Sequence, residues 1–466
     1  MFVGRSVELQ SLEEAFESGK FQMAVVYGRR RVGKTSLIRK FTKGKRAIFF
    51  TAQEQSDADN IADFSREIAT FFGLPSDMRL GTWRAAIDYL CDQAERERFI
   101  LVIDEFPYAA KRFPAFPSLL QLAIDRRLQN TQVFLVLCGS NQGFMESDVL
   151  GYKSPLYGRR TLQMKLKPFG YREAAKMLPW MEPEECFRTF ACIGGVPYYL
   201  AQVQEGESLK DNLAHLYFRP MGFLYSEPEL LLRQELSEPA AYYSVLRSVA
   251  SGANRPKAIA ERTGIERNSI AGYISTLVDL DILERVVPFG ENPDRSKRAI
   301  YRIREAMFDF WFSFVSPNVA MIDANAGNAV IGSISEEVFA TYLGHWFERV
   351  CREWMVSQAF SGRFTVPIAA VESWWGIDPT AREQVDIDVV GADASRKRLV
   401  VGECKYRNSF DETEALRILE QRAPLIKGCS PEEFVLFTKH PVSAGTRKKI
   451  DADNRTHAVC LDELYA

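Results

Sequence analysis

Short, almost wholly apolar runs recur along the first third of the chain, at Phe21–Tyr27, Arg46–Thr51, Phe99–Ile103, Val133–Cys138 and Leu162–Leu166. Between them apolar residues return at helical spacing. Runs of this length predict strands buried on both faces, and their alternation with helices predicts a parallel sheet covered on each side. After Pro168 the strand pattern stops and helical periodicity continues to about Glu235, broken at Gly194-Gly195-Val196-Pro197, which predicts a small helical lid. From Ala240 to Ile303 the order is a helix around Tyr242–Ser251, a short helix Pro256–Thr263, a turn at Gly264, a helix Asn268–Leu280 and two short strands around the polar tip Gly290–Lys297. That is the order of a winged helix-turn-helix; Pro256 suits a first helical turn and Gly264 a tight one. The aromatic run Phe308–Phe314 and the Ala/Asn/Gly-rich stretch Ala320–Gly332 predict a boundary. Past it, a helix Glu336–Ala359 and strands near Val385–Val390 and Leu399–Cys404 predict a further α/β domain. The expected divisions are 1–168, 169–238, 239–318 and 332–466.

A length of 466 residues and a hydrophobic content of 46% agree with several buried cores. The formal net charge of -2 excludes a chain held on nucleic acid by bulk charge, so such contact must come from a local patch. The eight cysteines are scattered without a C-x-x-C pair or a histidine ladder, which argues against a zinc site or a disulfide framework. Met1–Arg5 leads straight into charged sequence without a signal-peptide pattern, and no apolar run approaches the ~20 residues of a membrane span. A reducing, cytoplasmic setting without membrane contact is expected.

Chemistry is concentrated in two places. Gly28-Arg29-Arg30-Arg31-Val32-Gly33-Lys34-Thr35 fits G-x-x-x-x-G-K-[ST] and follows the first predicted strand. Backbone N–H groups of such a loop, here including Gly28, Arg31, Val32 and Gly33, turn inward around phosphates. Lys34 reaches the β and γ oxygens, and Thr35 is placed to ligate Mg²⁺ where a helix through Ser36 opens. ATP and Mg²⁺ are therefore the expected cofactors. Phe99–Ile103 ends in Asp104-Glu105, placing Asp104 at the Mg²⁺ water shell and Glu105 to polarise the attacking water. The next strand ends at Gly139-Ser140-Asn141, where Asn141 or Ser140 could sense the γ-phosphate. Arg159, with Arg160, could reach ATP in cis or from a neighbouring subunit, or could be a plain surface pair.

Phe2-Val3-Gly4-Arg5 with Glu8, the GRRRVGKT loop, the LVIDE strand end, Ser140-Asn141 and IGGVPYYL together resemble the prokaryotic and archaeal AAA+/STAND-like ATPase family. The resemblance covers about half the chain. It implies that Val3, Gly4 and Arg5 flank the base and that Pro197 senses nucleotide state. In the predicted winged helix, Arg267, Asn268 and Ser269 stand at the exposed start of the second helix, and Arg295, Lys297 and Arg298 lie in the wing. They would meet DNA bases and phosphates respectively, unless the domain serves as a mechanical element, as in many STAND-like ATPases.

In the last domain, strand alternation puts Glu403 and Lys405 of Gly402-Glu403-Cys404-Lys405 on one face, and likewise Asp386 with Asp388. Glu348 adds an acid from the helix before them. Convergent carboxylates can hold Mg²⁺ while a lysine orients water against a phosphodiester. The order helix Glu, Trp374-Trp375, acidic-Ile-Asp strand and Glu-Cys-Lys strand resembles the PD-(D/E)XK nuclease superfamily, and more closely the uncharacterised C-terminal domain that accompanies such ATPases. The resemblance implies Glu348, Asp388, Glu403 and Lys405 as active-site residues, with Asp386 as an alternative metal ligand.

The expected fold class is α/β: a P-loop NTPase parallel sheet with a helical lid, a winged helix-turn-helix and a C-terminal α/β restriction-endonuclease-like domain. The expected function is a Mg-dependent ATPase whose nucleotide state controls a nuclease-like domain acting on DNA. The alternatives are a signalling or scaffold ATPase with a non-cleaving C-terminal domain, and an ATP-responsive DNA-binding regulator. Protein partners and homo-oligomerisation are left open.

Overall fold

The computed structural model describes residues 2–75, 77–236 and 238–466. The chain divides into two compact units, Met1–Phe169 with Val196–Tyr198, and Gly170–Gly195 with Tyr199–Ala466.

In the first unit, β1 (Gln22–Tyr27), β2 (Ala47–Thr51), β3 (Ile100–Asp104), β4 (Phe134–Gly139) and β5 (Leu162–Lys165) form a five-stranded sheet in the order β2-β3-β4-β1-β5. Every pairing is parallel. The central strands are buried throughout, which is why they read as unbroken apolar runs. Their alternate side chains feed two cores. Met23, Val25, Leu101, Ile103, Leu135 and Leu137 face one layer of helices. Ala24, Val26, Val102 and Val136 face the other, where Leu37, Ile38 and Phe41 of the helix Lys34–Thr42 pack.

The second unit holds a run of helices from Tyr171 onward, then helices Pro239–Ala250, Pro256–Thr263 and Arg267–Asp279 followed by an antiparallel hairpin of β6 (Leu283–Val286) and β7 (Ile300–Ile303). Next come β8 (Ala370–Asp378), β9 (Glu383–Ala392), β10 (Arg398–Lys405), β11 (Ser430–Thr438) and β12 (Thr456–Cys460), in the order β12-β11-β10-β9-β8. β9 runs antiparallel to both β8 and β10, whereas β10, β11 and β12 are mutually parallel. The helix Glu336–Ser357, capped by Ser335, packs across β8, β9 and β10 and buries Val350, Trp354 and Met355 among others.

The Ala/Asn/Gly-rich stretch expected as a boundary forms two short helices, Val319–Asp323 and Gly327–Ser333. At Gly327 the chain runs close to a neighbour. A Cβ on Gly327 would stand 1.8 Å from the Phe218 carbonyl oxygen.

Candidate functional site

The loop after β1 is shaped by backbone geometry. Gly28 has φ 147°, and a Cβ there would lie 2.3 Å from the Leu166 carbonyl oxygen, so no other residue fits. Arg31 and Gly33 also have positive φ, 70° and 93°. The loop thereby curls over the start of the helix Lys34–Thr42, whose first N–H groups lack intrahelical acceptors. Lys34 is buried, its Nζ donating at 2.9 Å to the carbonyls of both Gly28 and Arg29. Thr35 donates its hydroxyl to Asp104 Oδ2 at 2.8 Å, which sets two hard oxygens side by side at the sheet's C-terminal edge. The side chain of Val32 is buried and Ser36 is exposed.

Glu105 adopts φ 51°, a left-handed conformation that costs a non-glycine residue about 1–3 kcal/mol. The turn directs its carboxylate to Ser140, which donates to it from the backbone N–H at 3.2 Å and from Oγ at 2.8 Å. Pro197 lies against the loop, 3.9 Å from where a Cβ of Gly33 would stand. Beside it Tyr198 receives the Arg31 guanidinium over its ring at 5.3 Å. Arg30 donates to the Tyr108 hydroxyl at 2.7 Å. Neither tyrosine figured in the sequence expectation, although Tyr198 sits inside IGGVPYYL.

Three residues expected near the nucleotide have partners within the protein. Asn141 is a helix cap: its Oδ1 accepts the Phe144 N–H at 2.8 Å, so Ser140 is the residue that meets Glu105. Arg159 is committed to Asp125 by two hydrogen bonds, at 2.7 and 2.6 Å, and also donates to the Pro155 and Tyr157 carbonyls. Those bonds hold the Asp125 carboxyl below its usual range. Arg5 clasps Glu8, the Val32 carbonyl and the Lys167 carbonyl and lies 4.6 Å over Phe169. Val3 and Gly4 lead into that clasp.

In the second unit the antiparallel ladder between β9 and β10 ends at Gly402↔Val389. Past it Asp388 accepts the Cys404 N–H at 2.8 Å through Oδ2, which brings it beside Glu403. Glu403 is buried and paired with Lys405. Burial, then the nearby charges of Glu348 and Glu403, push the Asp388 carboxyl well above its usual range. Glu348 also suffers from burial, but His345, Arg352 and Arg302, at 3.6, 3.6 and 3.9 Å, hold its carboxyl below the usual value. Arg352 additionally donates to the Asp388 carbonyl at 2.9 Å. Arg302 and Arg352 are neighbours of Glu348 that motif spacing did not select. Cys404 turns to the opposite side and meets Cys351 of the helix.

The expected metal cluster is not formed. Asp386 is 70% exposed and pairs with Arg422 at 3.6 Å. Among the described residues no group of three or more His, Cys, Asp or Glu side chains is arranged to hold a metal ion. Glu348, Asp388 and Glu403 are instead occupied by arginines, a backbone N–H and a lysine.

The tip after β6 is also engaged. Phe289 donates its N–H to the Ser373 carbonyl at 2.8 Å and joins the core formed by Trp374, Ile387 and Val401. Arg298, expected to meet phosphate, is bound to the Trp375 carbonyl and to Glu291. Arg267, Asn268 and Ser269 are exposed.

The parallel sheet, its glycine-bounded loop and the adjoining acids define a P-loop ATPase. Residues 2–203 match a family described as an ATPase domain predominantly from Archaea, and residues 311–418 match one described as Archaea bacterial proteins of unknown function. An uncharacterized protein of Methanocaldococcus jannaschii is 30% identical over 411 residues, which are 88% of this chain and 89% of that protein. The chain belongs to the same family as that protein. An uncharacterized ATP-binding protein of the same organism is 50% identical over 46 residues, 10% of this chain and 78% of its own. The Walker-type ATPase structure from Pyrococcus abyssi matches with a TM-score of 0.50 at 20% identity, over 67% of this chain and 96% of that one, a likeness of fold. Among the described residues no helix is long and apolar enough to cross a membrane.

Proposed function

We propose that the protein is an ATP-hydrolysing switch whose nucleotide state controls a nuclease-like C-terminal domain directed at DNA. In the ATPase domain the loop N–H groups and Lys34 bind the phosphates, with Lys34 exchanging its two carbonyl partners for phosphate oxygens. The Thr35 hydroxyl and Asp104 carboxylate fit Mg²⁺, which when bound neutralises phosphate charge. Glu105, oriented by Ser140, polarises the attacking water. Pro197 and Tyr198, lying against the loop, are the residues suited to register whether phosphate is present.

The observation that carries the C-terminal half of the proposal is the Asp388–Cys404 hydrogen bond, which gathers Asp388, Glu403 and Lys405 where β9 and β10 part. The acids do not fit a divalent ion in this arrangement, and no step is assigned to one. What ATP turnover would control is the set of ion pairs that occupies them. The hairpin docked through Phe289 favours a mechanical winged helix over one whose wing reads DNA. The test is cleavage of single- and double-stranded DNA with Mg²⁺ or Mn²⁺, with and without ATP, alongside Glu403→Ala and Lys34→Ala. Cleavage lost in Glu403→Ala and unresponsive to ATP in Lys34→Ala is expected. ATP hydrolysis without cleavage would instead assign the C-terminal domain to binding alone, a reading favoured by the arginines already on Glu348.

A further inference from the structure

Away from both sites, a cavity of about 300 Å³ opens among the helices Pro183–Ile193, Leu209–Tyr217 and Ala306–Phe310 and the beginning of Glu336–Ser357. This is the lower end of the ~300–1,000 Å³ found for small-molecule pockets, too small for a dinucleotide. Leu213, Phe310 and Ile331 are buried and make an apolar floor. Phe339 lies beside them with the Arg188 guanidinium 5.3 Å over its ring. Arg188 Nε is buried there without a hydrogen-bond partner, a donor that normally costs free energy to leave unmatched.

The mouth carries charge of both signs. Lys210 stands in the first turn of its helix, where unsatisfied N–H groups and the helix dipole also favour a negative group. Glu185 and Glu336 line the same opening. Among the described residues none of these three forms an ion pair or a side-chain hydrogen bond. A purely anionic ligand would meet the two acids unfavourably, and a purely cationic one would meet Arg188 and Lys210 unfavourably.

We propose that this cavity binds a hydrophobic α-amino acid. The side chain enters the Leu213–Phe310–Ile331 floor, the carboxylate faces Arg188 and Lys210, and the ammonium faces Glu185 and Glu336. Occupancy ties the Pro183–Ile193 helix to Glu336–Ser357, the helix that carries Glu348 about 18 Å further along its axis, and so offers a route for a metabolite to bias the carboxylate cluster.

Titration calorimetry on the full-length protein with L-phenylalanine and L-leucine tests this, with 3-phenylpropionate and 2-phenylethylamine as single-charge controls. Saturable binding of an amino acid is expected, about tenfold or more tighter than either control. Arg188→Gln should weaken it about tenfold and Leu213→Trp, which fills the floor, should abolish it, while melting curves and ATP hydrolysis report that both variants fold. The proposal is overturned by absence of binding at millimolar amino acid, by equal affinity for 3-phenylpropionate, or by binding indifferent to both substitutions.

Discussion

The loop around Lys34 and the acids around Asp388 are both clusters of charge at the ends of strands, yet their partners differ in kind. Lys34 rests on two backbone carbonyls, Asp104 on a threonine hydroxyl and Glu105 on a serine, all neutral groups that an incoming phosphate, ion or water can replace. Exchanging one such hydrogen bond for another costs on the order of 1 kcal/mol. Glu348 and Glu403 face arginines and a lysine, charged partners whose separation leaves a largely buried carboxylate uncompensated. The first site is poised for a ligand; the second is latched by its own side chains. Two complete motifs in one sequence need not be equally ready to act.

The sharpest way to break this contrast is Lys34→Ala. It should reduce ATP hydrolysis by about 10³-fold or more, since Lys34 is the cation held at the start of the helix that the loop opens onto; a steady-state assay that finds less than tenfold loss would mean the loop is not the engine. Glu105→Gln should lower turnover by about 10²–10³-fold while nucleotide affinity, measured by fluorescence titration, changes little.

Glu433 tests the second unit's reliance on internal pairing. It is buried, which works against its charge, but Thr365, His457 and the N–H groups of Thr365 and Val366 hold its carboxyl below the usual 4.5. A depressed carboxyl contributes stability that is present above pH 4.5 and is lost as the pH falls through its lower folded value. Glu433→Gln should therefore destabilise the unit by about 2–4 kcal/mol near neutrality in denaturant titrations, with the gap closing on acidification.

Asp309 gives the opposite sign and a smaller effect. Burial raises it to about 6, against the Trp346 N–H that bonds it at 2.9 Å. Its stabilising contribution is complete below pH 3.8 and lost as the pH rises through about 6. Asp309→Asn, which keeps an acceptor for Trp346, should gain on the order of 1–3 kcal/mol over wild type above that window. Equal stability profiles for the two proteins from pH 4 to 8 would remove the assignment. Smallest of all, Arg159→Ala should change ATP turnover by less than about threefold, because Asp125 already holds that side chain; a loss of tenfold would return it to the nucleotide contacts.

The first unit was legible because its strands are buried on both faces and announce themselves as apolar runs, so that each expected strand lies within one residue of the observed one. In the second sheet β8, β11 and β12 escaped notice. β11 begins Ser430-Pro431-Glu432-Glu433, a polar opening whose second glutamate is buried only because His457 and the Thr365 segment, distant in sequence, come to meet it. The loop and the two acids after β3 could be read from spacing because they sit on one turn each. What Arg159 or Glu348 does depends on Asp125, Arg302 and Arg352, whose approach is set by packing between elements. Asn141 is a different case: its helix cap is a local signal that was not read alongside the functional reading of the same residue.

Phe289 bears on where such a chain can be cut. Its ring belongs to the core of the C-terminal sheet although it lies some eighty residues before that sheet begins. A gene fragment starting after the hairpin would leave an apolar hole beside Trp374 and strip Ser373 of its backbone partner. Recombination that traded the three-helix segment for another would carry the same penalty, so these two parts are expected to pass between genomes as one heritable block, and expression trials of the C-terminal region should begin ahead of Pro239.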